Sequence, residues 1–500
     1  MTVATPLAAP APTPALSAAA SAARRAVLAA MGLGSLLLTA DMFVVTVALP
    51  SIASEFAAAP DQVSWVMAAN ALALGVFTLA MGRLGDIIGR KRVYMAGLIV
   101  YMAMSLACGL SNSIWMLIGF RTLQGLGAAA MWPGSLSLLV QAFPPEQRGR
   151  VIGIQGGIAG IGLIIGPLMG GLLASLDSWR WVFFVNLPIG VIALLLTARG
   201  VGESRDETVA KRIDWLGVAL ISLALLVLMV GVKQATLHGI AAAPAWGPIA
   251  GCVALLGLFV AWERHTATPL IELNLFLNRQ FAIACAVAFL FFAGNFGALP
   301  YLSLFMQNFL DLNAWEGGLA FLPATAPVAL TMLLGGGFAQ KNAHRIGLVF
   351  ALAGTFLIAA GIWIILFVTP HSSYWFGLMP SYVIRGVGIG LMVSATSFAA
   401  MSSLPPQKSG LASGTVSMAR QIGTGIGVAL CAAAFVSAIQ GSLPVGADAQ
   451  AVGQALRFHA VNEAMRQPVI DGFMGMTIFS TVLFVAAVLL ALTLKAKKPA

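Results

Sequence analysis

The sequence predicts an all-α integral membrane protein with 14 transmembrane helices, arranged as two six-helix bundles plus two extra helices. Composition, continuous apolar runs and an internal repeat lead to this prediction. Of 500 residues, 59% are hydrophobic and only 9% are charged. With a mean hydropathy of +0.94, the chain has too little polar surface for a water-soluble fold. Apolar runs of about 20 residues, enough for a helix to cross ~30 Å of hydrocarbon, recur along its whole length. They are continuous and do not alternate in segments of about 10 residues, so helices are predicted in place of a barrel.

The elements follow in chain order. Residues 1–25 are Ala/Pro-rich and uncharged until Arg24-Arg25. They lack the basic start and cleavage pattern of a signal peptide, and a disordered cytoplasmic tail is expected. Spans 1 to 6 are expected at 27–50, 62–82, 93–110, 114–142, 151–174 and 181–198, forming an N-terminal bundle over 26–198. A linker with two extra spans, 214–232 and 247–262, fills 199–280. Spans 9 to 14 are expected at 281–308, 317–339, 346–368, 376–401, 411–437 and 472–494. They form the C-terminal bundle over 281–500, with an extracellular loop at about 438–471 and a short cytoplasmic tail. That loop is helical in composition and carries Glu463 and Asp471, which could gate the outer vestibule or belong to a solvated covering helix.

The repeat supports two halves. Arg121-Thr-Leu-Gln-Gly-Leu-Gly127, leading to PPEQRG at 144–149, is echoed by Arg385-Gly-Val-Gly-Ile-Gly390, leading to PPQKSG at 405–410. A fainter echo sets GRLGDIIGRKR at 82–92 beside GGGFAQKNAHR at 335–345, 253 residues on. Transporters built from such repeats bind substrate near the bilayer midplane, between the halves.

Charge sets the orientation. Of 27 Lys and Arg, 20 fall on the side that holds both termini. Only Arg180, Lys233, Arg457 and Arg466 fall on the other, while Arg121, Arg385 and Arg420 lie within spans. This positive-inside bias places both termini in the cytoplasm and accounts for the net charge of +10 without nucleic acid. The four cysteines sit in apolar runs with no C-x-x-C spacing and read as small core residues. The ATP-binding loop, nucleophile elbow and H-E-x-x-H helix are all absent from the sequence. No enzymatic activity, cofactor or metal is expected, and the energy would come from an ion gradient or from the solute itself.

Three motifs carry the functional reading. In the short loop after span 2, Gly82, Gly85 and Gly89 permit tight turning, while Arg83, Asp86, Arg90 and Lys91 can form a charge network. In span 5, Gly162, Gly166 and Gly170 recur every four residues beside Pro167 and Gly171, giving a face that can press closely on a neighbour. Asp41 is the one acid read as lying within a span. A lone carboxyl in hydrocarbon costs ~2.5–3.5 kcal/mol, so it should face a wet cavity or a partner, where it can hold a proton. Asp41 lies ~13 Å and Arg121 ~10 Å from the same membrane face at 1.5 Å per residue, so the two are proposed as a pair.

These motifs resemble those of the major facilitator superfamily. The loop matches its signature G-x-L-x-D-x-x-G-R-[KR] at Gly82, Leu84, Asp86, Gly89, Arg90 and Lys91. Span 5 resembles its antiporter signature G-x-x-x-G-P-x-x-G-G. Within the superfamily, ADMFVVTVALPSIASEF, SWRWVFFVNLPIG and PLIELNLFLNRQF resemble the fourteen-span drug:proton antiporters. Departures are Thr46 for the family's usual Asn and Asn70 for an aromatic residue.

The resemblance implies a loop that latches one gating state, and proton coupling at Asp41 and Arg121. It also implies multidrug efflux by antiport across the cytoplasmic membrane of a bacterium. Trp132, Phe292, Phe296, Tyr301 and Met306, with Arg385 and Arg420, are expected around a cavity that accepts flat lipophilic molecules. Expected partners are lipophilic, cationic small molecules competing with protons for Asp41, together with membrane lipids, for a monomer that binds no nucleic acid. Export of an endogenous metabolite or peptide-like solute is the alternative, and a non-transporting sensor or lipid-binding protein is a reading from another class.

Overall fold

The computed structural model describes residues 18–58, 60–176, 178–205, 213–238, 243–266, 269–369, 371–404, 409–442 and 463–494. Among them the chain is helical, without strands, and 14 helical segments are long and apolar enough to cross a membrane. Spans 1 to 6 are Arg24–Glu55, Gln62–Ile88, Arg90–Gly109, Ile114–Ala142, Ile154–Ala174 and Trp181–Gly200. Spans 7 and 8 are Trp215–Val232 and Trp246–His265. Spans 9 to 14 are Arg279–Gln307, Ala314–Lys341, Ile346–Phe367, Tyr374–Ser402, Gly414–Ser442 and Arg466–Leu492. An even number of crossings returns the chain to its starting face, called here the terminal side.

Large apolar side chains remain exposed on the outer surface, among them Leu334 (65%), Leu366 (66%) and Leu489 (62%). In water they would drive association, whereas hydrocarbon solvates them, so the exposed apolar surface fits a bilayer. Spans 1 to 6 pack together and spans 9 to 14 pack together. Spans 7 and 8 form a hairpin laid against the seam where span 2 meets span 13. Val76, Val218, Ile221, Phe259, Met418 and Ile422 share one buried cluster there.

Several boundaries differ from the sequence reading. The first helix begins at Ala18, inside the expected tail, because the Ala-rich stretch has high helix propensity and extends span 1. The expected 438–471 loop is consumed from both ends by helices Ser409–Ser442 and Glu463–Leu492. Val469, Ile470 and Phe473 are buried with Phe435 and Ile439, which favours helix over loop. Asp471 is therefore a helical residue, accepting a hydrogen bond from Gln467 (2.8 Å). Residues 443–462, the rest of that loop, lie outside the described residues.

Span 8 also differs, continuing to His265 and bringing Glu263 inside it; with Glu55, Asp86, Glu316 and Asp471 also within the observed spans, Asp41 is not the sole acid in a span. Glu263 is 4% exposed and accepts hydrogen bonds from the Leu270 and Ile271 N–H groups (3.2 Å each). These bonds turn the chain back towards span 9. Asp214 accepts from Gly217 N–H and Trp262 Nε1 (2.9 Å each), which closes the base of the hairpin.

Span 5 is placed by its glycines. A Cβ at Gly162 would run into Thr39, one at Gly166 would meet the Ala40 carbonyl and Phe43 Cβ (2.9 Å each), and one at Gly170 would meet the Val44 carbonyl (2.8 Å). One glycine face therefore lies directly on span 1. Gly171 turns the other way, to the Ala314 carbonyl of span 10 (2.7 Å), and joins the two bundles on the side opposite the termini.

Gly166→Leu should cost ~1–3 kcal/mol through overpacking, and more if the helices separate. A lowered Tm in detergent would register this. Gly119→Ala, where a Cβ would meet nothing within 4 Å, should leave Tm unchanged.

Candidate functional site

The buried polar centre of the first bundle forms where spans 1, 2, 4 and 6 converge. Asp41 (4% exposed) and Arg121 (1%) form an ion pair through Asp41 Oδ2 and Arg121 Nη1 at 2.6 Å. The second carboxylate oxygen accepts from Asn186 Nδ2 (3.0 Å), which also donates to Ser105 Oγ (3.0 Å). Arg121 donates further to Gln124 Oε1 (2.7 Å) and, through Nε, to the Val66 carbonyl (3.2 Å). Its guanidinium lies 5.9 Å from the centre of the Phe183 ring. Two opposite charges out of water are tolerated here because each also has neutral hydrogen-bond partners.

Asn70 donates to the Arg121 carbonyl (3.2 Å), tying span 2 to span 4. Thr46 turns its hydroxyl back on its own helix, to the Met42 carbonyl (2.6 Å). Nearby, Gln155 of span 5 donates to Ser35 (2.9 Å) and to Ser135, linking spans 1, 4 and 5.

A central cavity of about 420 Å³ lies between the bundles. Its wall includes Asp41, Arg121, Trp132, Phe292, Phe296, Arg385 and Arg420 and, among the described residues, none from spans 7 or 8. Phe292 and Phe296 stack at 4.9 Å, with the Arg420 guanidinium 5.5 Å from the Phe292 ring centre.

Two expected wall residues are elsewhere. Tyr301 packs on Phe435 (4.9 Å), and Met306 is fully buried and accepts from the Tyr382 hydroxyl (3.8 Å). Both lie beyond the break in span 9 between Gly297 and Leu299, in apolar core. Of the candidate outer gate, Asp471 is not among the described cavity-lining residues, and the Glu463 side chain lies outside the described residues.

The expected loop after span 2 is mostly helix: span 2 runs on through Gly82, Arg83 and Asp86 to Ile88, and only Gly89 separates it from span 3, in a turn fastened within its own bundle. Gly89 has φ +123°, a region that favours glycine, and a Cβ there would strike the Glu203 carboxylate (2.7 Å). Asp86 pairs with Arg90 (2.7 Å). The Lys91 N–H donates to Glu203 Oε1 (3.0 Å), and Lys91 Nζ donates to the Ala198 carbonyl (2.8 Å). Gly82 approaches Pro133 of span 4, while Arg83 Nε is buried without a hydrogen-bond partner among the described residues.

Sequence reasoning missed Asn186, Gln124, Glu203 and Asn295. Asn186 stands inside the quoted SWRWVFFVNLPIG segment, and Glu203 follows span 6, but neither carries a charge-pattern signal of its role. Asn295 does have a signal: it lies 254 residues after Asp41, close to the 253-residue repeat offset. It accepts from Arg385 Nε through its side chain (2.8 Å) and from Arg385 Nη2 through its backbone carbonyl (3.0 Å). The second half thus rebuilds the Arg–Asp pair with a neutral amide in place of the carboxylate.

Comparison with known proteins places this architecture. Residues 31–428 match the profile of the Major Facilitator Superfamily. The chain belongs to that superfamily. It is accordingly a multi-pass membrane transport protein and not an enzyme.

Among its relatives, "Multidrug resistance protein Stp" of Mycobacterium tuberculosis (strain ATCC 25618 / H37Rv) is 34% identical over 421 residues, 83% of this chain and 76% of that one. "Multidrug transporter protein MdtP" of Bacillus subtilis (strain 168) is 30% identical, over 79% and 72% of the two chains. "Cephamycin export protein CmcT" of Amycolatopsis lactamdurans is 34% identical, over 80% and 83%. Among solved structures, a bacterial homolog of the human lysosomal transporter Spinster, inward-facing and unoccupied, superposes with a TM-score of 0.61. The identity there is 18%, over 96% of this chain and 99% of that one.

Removing one member of the buried pair should be costly. Arg121→Ala strands a carboxylate and is expected to lose ~3–5 kcal/mol. Pairing it with Asp41→Asn should recover part of that loss. A double-mutant cycle by thermal unfolding measures this, and additive losses would contradict coupling between the two side chains.

Proposed function

We propose that the protein is a proton-coupled exporter of lipophilic small molecules, working by alternating access in the cytoplasmic membrane of a bacterium with both termini in the cytoplasm. The observation that carries this is the buried Asp41–Arg121 pair on the wall of the central cavity, with the glycine face of span 5 packed on span 1 beside it. The relatives named for multidrug resistance and export support drug efflux. The 20 basic residues on the terminal side support the orientation.

The chemistry follows from the geometry. A proton on Asp41 cancels the charge that Arg121 faces at 2.6 Å and leaves the guanidinium with Gln124 Oε1 and the Val66 carbonyl. A buried cation without its counter-ion is costly, so protonation favours a different packing of span 1 against spans 4 and 6. Span 1 also touches the second bundle, through Gln307 Nε2 donating to the Val47 carbonyl (2.8 Å) and through Phe43 beside Phe321 (6.4 Å). Repacking span 1 therefore changes contacts that close the side opposite the termini, which couples the proton to access. The loop from Gly82 to Lys91 holds the terminal side of the first bundle rigid while this happens.

The expected cationic substrate rested on Asp41, which Arg121 and Asn186 already engage.

Reconstituted into liposomes with an imposed pH gradient, the wild-type chain should drive dye efflux that a protonophore abolishes. Asp41→Asn should reduce the rate at least ~100-fold, as expected for loss of a proton-transferring group, without loss of membrane insertion. Undiminished pH-driven efflux by this variant would overturn the proposal.

A further inference from the structure

Four charged side chains line the central cavity: Asp41, Arg121, Arg385 and Arg420. The single carboxylate is consumed by Arg121 at 2.6 Å. Arg385 is buried (9% exposed) and among the described residues hydrogen-bonds only to Asn295, at the position where the repeat replaces Asp41 by an amide. Arg420 Nη2 donates to Thr396 and Ser397 hydroxyls (2.7 Å each) and to the Val393 carbonyl (3.1 Å), all of them neutral. Its Nε is buried without an acceptor among the described residues. No carboxylate lies within ion-pair distance of Arg385 or Arg420 among those residues. The second half of the cavity is therefore a cationic wall with unused donor capacity.

We propose that this wall selects lipophilic anions: flat aromatic acids whose carboxylate or sulfonate docks at Arg420 and Arg385 while the ring lies along Phe292 and Phe296. Guanidinium forks suit such planar, multi-oxygen anions, and a charge-assisted bond in a low-dielectric cavity is stronger than one in water. A cationic solute would meet three guanidiniums and no free carboxylate, so the same wall rejects it. The proposal rests on the export reading above and replaces the cationic substrate expected from Asp41. An anion leaving and a proton entering move charge in the same sense, so an inside-negative membrane potential drives both. The two ligands occupy different halves of the cavity, and their exclusion is conformational instead of electrostatic.

Three dyes test the inference on the full chain in lipid nanodiscs by equilibrium dialysis, with empty discs subtracted. These are 8-anilinonaphthalene-1-sulfonate, its uncharged parent N-phenyl-1-naphthylamine, and ethidium. The sulfonate should bind at least ~10-fold more tightly than its parent, as a charge-assisted bond implies, and ethidium should bind most weakly. Arg420→Gln should erase the advantage of the sulfonate while leaving the parent unchanged, and Arg420→Lys should restore part of it. Equal or tighter wild-type binding of the parent or ethidium would overturn the proposal, and so would a uniform weakening of all three dyes by Arg420→Gln. The wild-type comparison holds even if a variant fails to fold. Transport of ethidium without sulfonate binding would overturn the anion site and leave export standing. Sulfonate binding without pH-driven transport would support the site and count against export.

Discussion

The burial of Arg121 against Asp41 is the constraint around which the first bundle is arranged. A guanidinium that is 1% exposed cannot be left with apolar neighbours, and the first bundle supplies it from several helices. Span 1 gives the carboxylate, span 2 a carbonyl, and span 4 the neighbouring amide, while span 6 orients the carboxylate through Asn186. Each helix is thereby fixed in rotation as well as position. Van der Waals packing between apolar helices in lipid specifies rotation weakly, so the polar centre supplies much of the uniqueness of the arrangement.

The second constraint is how closely span 5 approaches. Gly162, Gly166 and Gly170 bring it onto the backbone of span 1 directly beside Asp41, while Gly171 faces span 10 in the other bundle. One helix thus touches the helix that carries Asp41 on one face and the opposite bundle on another. The hairpin of spans 7 and 8 has a different role. It covers the seam of spans 2 and 13 from outside and is held at its base by Asp214 and Glu263. Both carboxyls bond to neighbouring backbone, which is why they need no cation.

The 14 spans and the Asp41–Arg121 pair were legible because hydropathy and depth along a helix are one-dimensional quantities that survive in sequence. Helix ends were less legible. Ala18 to Ala23 and the segment from Glu463 to Asp471 continue as helix beyond the apolar core, and hydropathy does not register such extensions. Tyr301 and Met306 were misplaced because the break in span 9 turns its last part into apolar core, and no spacing rule announces that turn. Asn295 and Asn186 were unreadable from charge, since each acts as a neutral partner to a charged group.

The two halves therefore differ where their repeat is most alike: one Arg faces a carboxylate and the other faces an amide. Only the first can exchange a proton at that position, so the coupling proposed above falls in one half and the proposed solute site in the other. Infrared difference spectroscopy of the protonated-carboxyl stretch, recorded on the purified chain as pH is varied, tests this assignment most directly. A carboxyl band should titrate in the wild type and be missing in Asp41→Asn, with the Asp214 and Glu263 contribution unchanged between the two. An identical set of titrating bands in both proteins would contradict the assignment of the proton to Asp41.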